Sequence, residues 1–310
     1  MDNKLIVSSS PHISSPVKTK TLMIDVIIAL MPAFIASIIL FGVRSIIIVC
    51  ATVAAAVVAE YICRKVMKRP NTITDFSAIV TGLLLAFNLP ATVPIWMAVL
   101  GAVIAIVVVK QMFGGIGNNF VNPALAARII LMTSFPTAMT SWTAPFDGTA
   151  TATPLAIAAG GNASELPSYL DMFLGKTGGC IGETCALALL IGGIYLVIRK
   201  VISPIIPLIY IAVVFVFSAA LGQDPVMQIL SGGLFIGAIF MATDYVTSPL
   251  TNKGKVIYAI GCGILTVLIR SFGSLPEGVS FSIIIMNILV PHIEKLTTPK
   301  PFGAQKEAAK

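Results

Sequence analysis

Hydroxyl side chains recur at alternate positions in one stretch of the chain, residues 146–156, which reads FDGTATATPLA. Three threonines alternate with alanines behind an Asp-Gly pair and end at a proline, in a chain that is 57% hydrophobic. The proline fixes the backbone after the last hydroxyl, which belongs to Thr153. The pattern leaves two interpretations open: a solvated polar turn, or a segment in which one hydroxyl takes part in chemistry.

Three other stretches combine glycines with polar side chains inside apolar surroundings. They read FGGIGNNFVNPALAAR at 113–128, GGCIGETCALA at 178–188 and FMATDYVTSP at 240–249. Glycines let the backbone bend and present N–H groups at a helix start, while hydroxyls and a single carboxylate supply side-chain ligands. Such groups suit an anion, the edge of an isoalloxazine ring or a desolvated cation. Taken alone, each stretch is equally explained by helix capping and close packing of small residues.

The elements that position these residues are membrane helices. Only 11% of the 310 residues are charged and the mean hydropathy is +0.97, whereas soluble globular chains carry about 25% charge. The apolar runs are continuous rather than alternating, which indicates helices and not a barrel. Ten runs are candidates for crossing the bilayer: 22–42, 46–62, 76–89, 92–109, 121–133, 185–198, 201–221, 228–242, 256–269 and 279–292.

The charges divide unevenly between the two sides that ten crossings would define. Arg44, Lys176 and Arg270 fall on one side, Arg128 lies within a run, and the remaining sixteen of the twenty basic residues share the other side. This is the positive-inside asymmetry, so both termini are predicted to lie on the cytoplasmic side of the cell membrane. The net charge of +7 therefore reports topology and contact with anionic lipid, and it does not indicate a nucleic-acid partner.

The chain divides into two halves around one long connection. The predicted segments are a cytoplasmic N-terminal segment at 1–20, a five-helix repeat at 21–133, an external loop at 134–178, a second five-helix repeat at 179–293 and a cytoplasmic tail at 294–310. Because each half has an odd number of runs, the second half is inverted relative to the first, a pattern typical of transport proteins. The predicted fold class is all-α integral membrane.

Four acidic residues lie in or beside the apolar runs: Asp25, Glu60, Glu183 and Asp244. An unpaired charge in hydrocarbon costs at least about 2.5 kcal/mol, so each acid requires a function or a partner. A cation path is one explanation, and pairing with Arg128 or a partner subunit is the other. Asp244, at the end of a glycine-rich run, is the first candidate for an ion path, and Asp25 is the second.

Cysteine and histidine usage argues against a metal centre inside the chain. The five cysteines show no CxxC spacing and there are only two histidines, so we expect no metal site. Cys180 could lie beside a redox centre only if other chains supplied the remaining ligands.

Together the four motifs resemble those of one family of membrane proteins. DGTATAT at 147–153 is similar to the acceptor motif for covalent attachment of FMN, and the three glycine-rich stretches occur in the family's order. The family contains the D subunit of the Rnf complex, an ion-translocating ferredoxin:NAD oxidoreductase, and the homologous B subunit of the Na⁺-translocating NADH:quinone oxidoreductase. The resemblance covers residues from about 20 to 295, and the short N-terminus favours the Rnf branch.

The resemblance implies a role for particular residues. In the family a Mg²⁺-dependent flavin transferase joins the phosphate of FMN to the last threonine of the motif, which is Thr153 here. The sequence departs from the family pattern at Ala150, where a hydroxyl is common, so Thr151 stays a competitor. An attachment site is expected to expose its hydroxyl. The other residues of these motifs that the resemblance places near a cofactor are Asp147, Ala152, Pro154, Asn122, Glu183 and Thr184.

The resemblance also implies a fold and partners. Its relatives have a urea-transporter-like membrane fold, and the homologous quinone-reducing protein also holds non-covalent riboflavin. Expected partners are the A, B, C, E and G subunits of Rnf, among them a second protein with covalent FMN and iron–sulfur proteins, together with Na⁺ or H⁺. A flavin-free channel or transporter for a small solute, and a passive scaffold for redox partners, are the competing classes.

Overall fold

The computed structural model describes residues 18–160, 166–273 and 277–299. The predicted cytoplasmic segments up to residue 17 and from residue 300 lie outside this range, with the lysines assigned to them. The described chain is mostly helical, as expected for a multi-pass membrane protein, with one small addition to the all-α prediction. This addition is a two-stranded antiparallel hairpin in the long connection, where Trp142 pairs with Thr151 and Thr143 with Ala150.

The first half contains five α-helices, with a short 3₁₀ helix at Ile73–Asp75 between the second and the third. They are α1 (Thr19–Phe41), α2 (Val43–Val66), α3 (Ser77–Phe87), α4 (Ile95–Val103), which continues as a π-helix over Ile104–Gln111, and α5 (Pro123–Ser134). The start of α5 follows from its sequence, because the Asn122 side chain accepts hydrogen bonds from the N–H groups of Ala124 and Leu125 and Pro123 occupies the first helical position.

Short elements form the long connection. They are α6 (Pro136–Met139), β1 (Trp142–Thr143), β2 (Ala150–Thr151), α7 (Pro154–Ala159) and α8 (Tyr169–Leu174). The connection packs onto the helical domain at several points. For example, the Phe146 N–H donates to the Leu40 carbonyl at the end of α1, at 2.9 Å.

The second half repeats the helical character of the first. Its helices are α9 (Ala186–Ile198), α10 (Ile205–Ala220), α11 (Pro225–Leu230), α12 (Leu234–Ile236), which continues as a π-helix over Gly237–Met241, α13 (Asn252–Phe272) and α14 (Val279–Thr297). Helix α1 packs on α9, which joins the two halves, and α10 packs on α13. The contact between α1 and α9 is close, because a Cβ at Gly192 would lie 2.0 Å from the Ala29 carbonyl oxygen.

Each of the ten apolar runs contains helix, but the helices differ in length. Among the described residues, α1, α2, α13 and α14 are long and apolar enough to cross a membrane. Helix α3, with 11 residues, is only about 16 Å long, roughly half of the hydrocarbon thickness. The chain is therefore an α-helical membrane protein, while ten complete crossings and inverted repeats stay predictions.

Helix α3 ends against irregular backbone from the other half of the chain. At the end of α3, the N–H groups of Ile181 and Gly182 donate to the carbonyls of Leu89 and Phe87, both at 3.0 Å. Glycine is required at 182, because a Cβ there would lie 2.2 Å from the ring of Phe87. Buried protein thus satisfies the backbone groups that a lipid environment would leave unpaired.

Candidate functional site

Thr153 lies at the start of α7, in the long connection. Its Oγ1 accepts a hydrogen bond from the Ala156 N–H at 3.2 Å, and Pro154 is the first residue of the helix. The side chain is only 6% exposed, so the expectation of an exposed hydroxyl is wrong for this packed structure. The physical reason is the cap itself, which turns the hydroxyl toward the helix and away from solvent.

The other threonines of the motif lie in different surroundings. Thr149 is exposed in the hairpin turn, and Thr151 is half-buried in β2. Asp147 and Ala152 are exposed, and Gly148 has a φ of 65°, which a turn at this position requires. Accessibility alone therefore favours Thr149 or Thr151, whereas the family motif favours Thr153.

A small cavity of about 20 Å³ lies beside Thr153, with room for about one water molecule. The structure brings Thr153, Pro154, Glu183 and Thr184 together around it, and it leaves Asp147 and Ala152 outside. The remaining lining comes from the long connection and the second half of the chain: Leu155, Thr177, Gly178, Gly179, Leu230, Ser231, Gly232 and Glu277. A flavin ring cannot enter a space of this size, so a flavin attached to Thr153 must project away from it.

A buried charged cluster adjoins this cavity, and we call it the outer cluster: Arg128, Glu183, Arg270 and Glu277, with Cys180. The guanidinium of Arg128 forms an ion pair with Glu277 and donates to Asn88 Oδ1 and Ser280 Oγ, both at 2.9 Å. Glu183 Oε1 accepts from the Cys180 N–H at 3.1 Å. The partner that the sequence left open for Arg128 is therefore Glu277, far along the chain.

Arg270 belongs to the same cluster but pairs with backbone rather than with acids. Its guanidinium donates to the carbonyl oxygens of Gln228, Ser231 and Gly232 at 2.6, 2.9 and 3.2 Å. These carbonyls lie at and just after the end of α11, where intrahelical donors are lacking. Arg270 thereby holds one wall of the cavity in place.

Several polar atoms of the outer cluster have no hydrogen-bond partner within the described residues. They are Glu183 Oε2, Glu277 Oε1, Arg128 Nε and Arg270 Nε. Burial, with the nearby Glu183 carboxylate, raises the pKa of Glu277, which lies in the connection before α14, against the lowering effect of Arg128.

A much larger cavity, about 420 Å³, opens at the other end of the helices. Asn122 and Asp244 both line it, so the structure unites one residue of the cofactor prediction with one of the ion-path prediction. Further lining is polar at Ser77, Lys110, Asn119 and Thr243 and apolar at Leu22, Val26, Val80 and Phe240. Its volume and mixture of groups match those of small-molecule sites.

The two predicted ion-path acids have different partners. Asp244 accepts hydrogen bonds from the Val246 N–H at 3.4 Å and the Thr247 hydroxyl at 3.2 Å, beside the large cavity. Asp25 instead accepts from the Tyr195 hydroxyl at 3.0 Å and pairs with Arg199. Asp25 thus has a counter-charge, and Asp244 has only neutral donors among the described residues.

A second buried ion pair, the inner pair, joins Lys110 in the π-helix to Glu60 in α2 at 2.8 Å. Lys110 also donates to Ser77 Oγ at 2.7 Å, and Glu60 Oε1 accepts from the Thr72 hydroxyl at 2.8 Å. From sequence, Lys110 serves only as a marker of the cytoplasmic side. Its position beside the end of a long apolar run was the available signal that it is buried.

Comparison with known proteins gives one family over nearly the whole chain. The model described as "NQR2, RnfD, RnfE family" matches residues 6–303. The chain is 49% identical over 306 residues to the D subunit of the Na(+)-translocating ferredoxin:NAD(+) oxidoreductase complex of Acetobacterium woodii, covering 97% of this chain and 96% of that protein. It is 42% identical over 323 residues to the D subunit of the proton-translocating ferredoxin:NAD(+) oxidoreductase complex of Clostridium ljungdahlii, covering 98% of each.

Proposed function

The chain belongs to the NQR2, RnfD, RnfE family, and from this premise we propose that it is the D-type subunit of an ion-translocating ferredoxin:NAD oxidoreductase complex. The observation that carries the proposal is the full-length match to relatives named as the D subunits of such complexes. The prediction from sequence, the Rnf branch of the family, agrees with these names. The alternatives are the B subunit of the quinone-reducing complex and a flavin-free solute channel.

Within this function, Thr153 carries FMN through a phosphoester. The motif supports this assignment, and the helix cap is compatible with it, because an esterified Oγ1 can still accept the hydrogen bond from Ala156 N–H. Bound FMN supplies reversible one- and two-electron chemistry. The attachment point lies between α7 and the glycine-rich segment at Gly178. A Cβ added at Gly178 would lie 2.5 Å from the Thr151 methyl group.

A second flavin, bound without a covalent bond, fits the large cavity and not the 20 Å³ cavity beside Thr153. The cavity offers the amide of Asn122, the ammonium group of Lys110 and hydroxyls from Ser77 and Thr243 among apolar side chains. These groups can hydrogen-bond the polar edge of an isoalloxazine ring while the apolar wall covers its faces.

The proposed topology is ten crossings in two inverted five-helix repeats, with cytoplasmic termini and the FMN-bearing loop on the outer face. Two contacts support it. The end of α3 meets the segment before α9, and the end of the π-helix after α12 meets the start of α5, where Asn122 Nδ2 donates to the Met241 carbonyl at 3.4 Å. Each contact joins the end of the third run of one half to a segment that precedes a helix in the other half.

The translocated ion is Na⁺ or H⁺, and Asp244 is the proposed carboxylate on its path. One relative is named for Na⁺ and the other for protons. Export of one charge against about 150 mV costs roughly 3.5 kcal/mol, which a two-electron transfer through about 75 mV supplies. In vesicles containing the complex, Asp244→Asn should weaken the Na⁺ dependence of ferredoxin:NAD activity, and unchanged dependence rules out this role.

Partners follow from the complex. They are its A, B, C, E and G subunits, with iron–sulfur centres and a second covalent FMN among them, and a flavin transferase during maturation. In this arrangement electrons from ferredoxin pass the flavins on the way to NAD. A passive scaffold is the competing class, and it predicts that Thr153→Val leaves electron transfer by the assembled complex intact.

Fluorescence of the chain on a denaturing gel tests the flavin directly. With the flavin transferase co-expressed, the wild-type band and Thr151→Ala should fluoresce under ultraviolet light, and Thr153→Ala should be dark. A dark wild-type band contradicts the redox function and favours the channel. Fluorescence that survives Thr153→Ala and is lost in Thr151→Ala assigns the flavin to Thr151.

A further inference from the structure

The outer cluster contains two acids that line one small cavity and that each have one oxygen without a partner among the described residues. Glu183 is 9% exposed and Glu277 is 6% exposed, and both line the 20 Å³ cavity. Oε2 of Glu183 and Oε1 of Glu277 each lack a donor within the described ranges, although their other oxygens are paired. One ligand atom from each of Cys180, Glu183 and Glu277 lies within 4.8 Å of the other two.

Two buried carboxylates this close disfavour each other's ionisation, and Arg128 and Arg270 offset this only in part, since burial still raises the pKa of Glu277. Like charges in close contact disfavour one another, and a buried carboxylate oxygen without a donor loses its hydration without a replacement hydrogen bond. One shared proton removes both penalties, because the protonated oxygen donates and the other accepts. The cavity also has room for one water molecule, which can bridge the two oxygens if they lie beyond direct contact.

We propose that Glu183 and Glu277 bind one proton between them, on their two unpartnered oxygens, directly or across one water molecule. The site is a proton-binding site in the outer half of the helical domain. Its place and residues are separate from those of Asp244 and the large cavity.

The charges around the pair are compatible with a proton and oppose a metal ion. Arg128 from α5 contacts Glu277, Arg270 from α13 holds the cavity wall, and Asn88 after α3 is neutral, as is all of α7. The Cys180 thiol from the segment before α9 donates to the Asn88 carbonyl at 3.3 Å, which a metal-bound thiolate could not do. The Arg128 guanidinium already occupies the side of Glu277 and Cys180 that a divalent cation would approach.

Infrared spectroscopy of the purified full-length chain, without flavin, tests the proposal. A protonated carboxyl has a C=O stretch that is separate from the bands of a carboxylate and shifts in D₂O. We expect this band near neutral pH in the wild type and its loss in both Glu183→Gln and Glu277→Gln, because either substitution removes the like charge. Glu294→Gln is the matched control, since Glu294 Oε1 accepts from the Leu250 N–H at 3.2 Å and lies far from the cluster.

The outcomes separate the alternatives. Absence of the band in the wild type overturns the proposal, and loss in only one Gln variant overturns the sharing of the proton. A stoichiometric divalent cation that is lost in Glu183→Gln overturns it in favour of a metal site. Glu183→Gln keeps an acceptor for the Cys180 N–H, so it remains informative even if Glu277→Gln fails to fold around Arg128.

One extension rests on the proposed function, because Thr153 lines the same cavity. A phosphodiester there adds one negative charge beside the pair, so a flavin-loaded chain should keep its carboxyl proton to higher pH than Thr153→Ala. Equal titration midpoints for the flavin-loaded chain and Thr153→Ala overturn this extension. They leave the flavin-free infrared result unaffected, so failure of the proposed function can be told apart from failure of the proton site.

Discussion

The inner pair and the outer cluster are both buried charge networks, but they differ in how completely their atoms are satisfied. Both oxygens of Glu60 have donors, and Lys110 donates to two acceptors. The outer cluster leaves one oxygen of each acid and one nitrogen of each arginine without a partner among the described residues. A complete network fixes structure, whereas an incomplete one retains the capacity to bind something small.

Among substitutions in the two networks, removal of Lys110 should reduce the stability of the chain most. Lys110→Met leaves the Glu60 charge buried with only the Thr72 hydroxyl, and the loss is expected to be about 3 to 5 kcal/mol of stability. The double variant Lys110→Met/Glu60→Gln should recover most of this, because neither charge remains. Thermal melting of the detergent-solubilised chain measures both, and equal destabilisation of the single and double variants contradicts a simple ion pair.

Glu277→Gln should have an intermediate effect, which appears in how the stability of the chain depends on pH. Burial raises the pKa of Glu277 to about 7 from 4.5, so between these values the folded chain binds more protons than the unfolded chain. The contribution of Glu277 to the free energy of unfolding is therefore highest below pH 4.5 and falls as the pH rises toward 7. Melting temperatures across this range should show the slope in the wild type and lose it in Glu277→Gln. A slope that persists in Glu277→Gln assigns the titration to another group.

The smallest effect is expected for Glu183→Gln, at about 1 kcal/mol or less. The amide oxygen can accept from the Cys180 N–H as Oε1 does, and no charged partner loses its counter-ion. Glu60→Gln is the matched comparison, because it leaves Lys110 buried without its counter-charge. Similar melting temperatures for the two variants would show that the networks do not differ as their hydrogen bonds indicate.

The sequence predicted the local features of these regions better than their assembly. The pair Asn122-Pro123 indicated a helix start, and α5 begins there. This feature was predictable because a helix cap depends on neighbouring residues alone. The Arg128 and Lys110 pairs join residues 149 and 50 positions apart, and periodicity carries no signal for such partners. The charge asymmetry predicts a crossing at 76–89, where α3 has only 11 residues. The sequence carries no sign that the backbone at Ile181 and Gly182, from the other half of the chain, meets the end of this helix.

The helix cap at Thr153 bears on the timing of maturation. An enzyme that esterifies Oγ1 must reach an oxygen that faces the Ala156 N–H and a space the size of one water molecule. On the proposed attachment of FMN to Thr153, cofactor loading and packing of α7 exclude each other, so loading would take place before the connection packs on the helices. If Thr153 carries FMN as proposed, the packed α7 would then shield the ester bond from water, so the same cap would set the time of loading and protect the loaded residue.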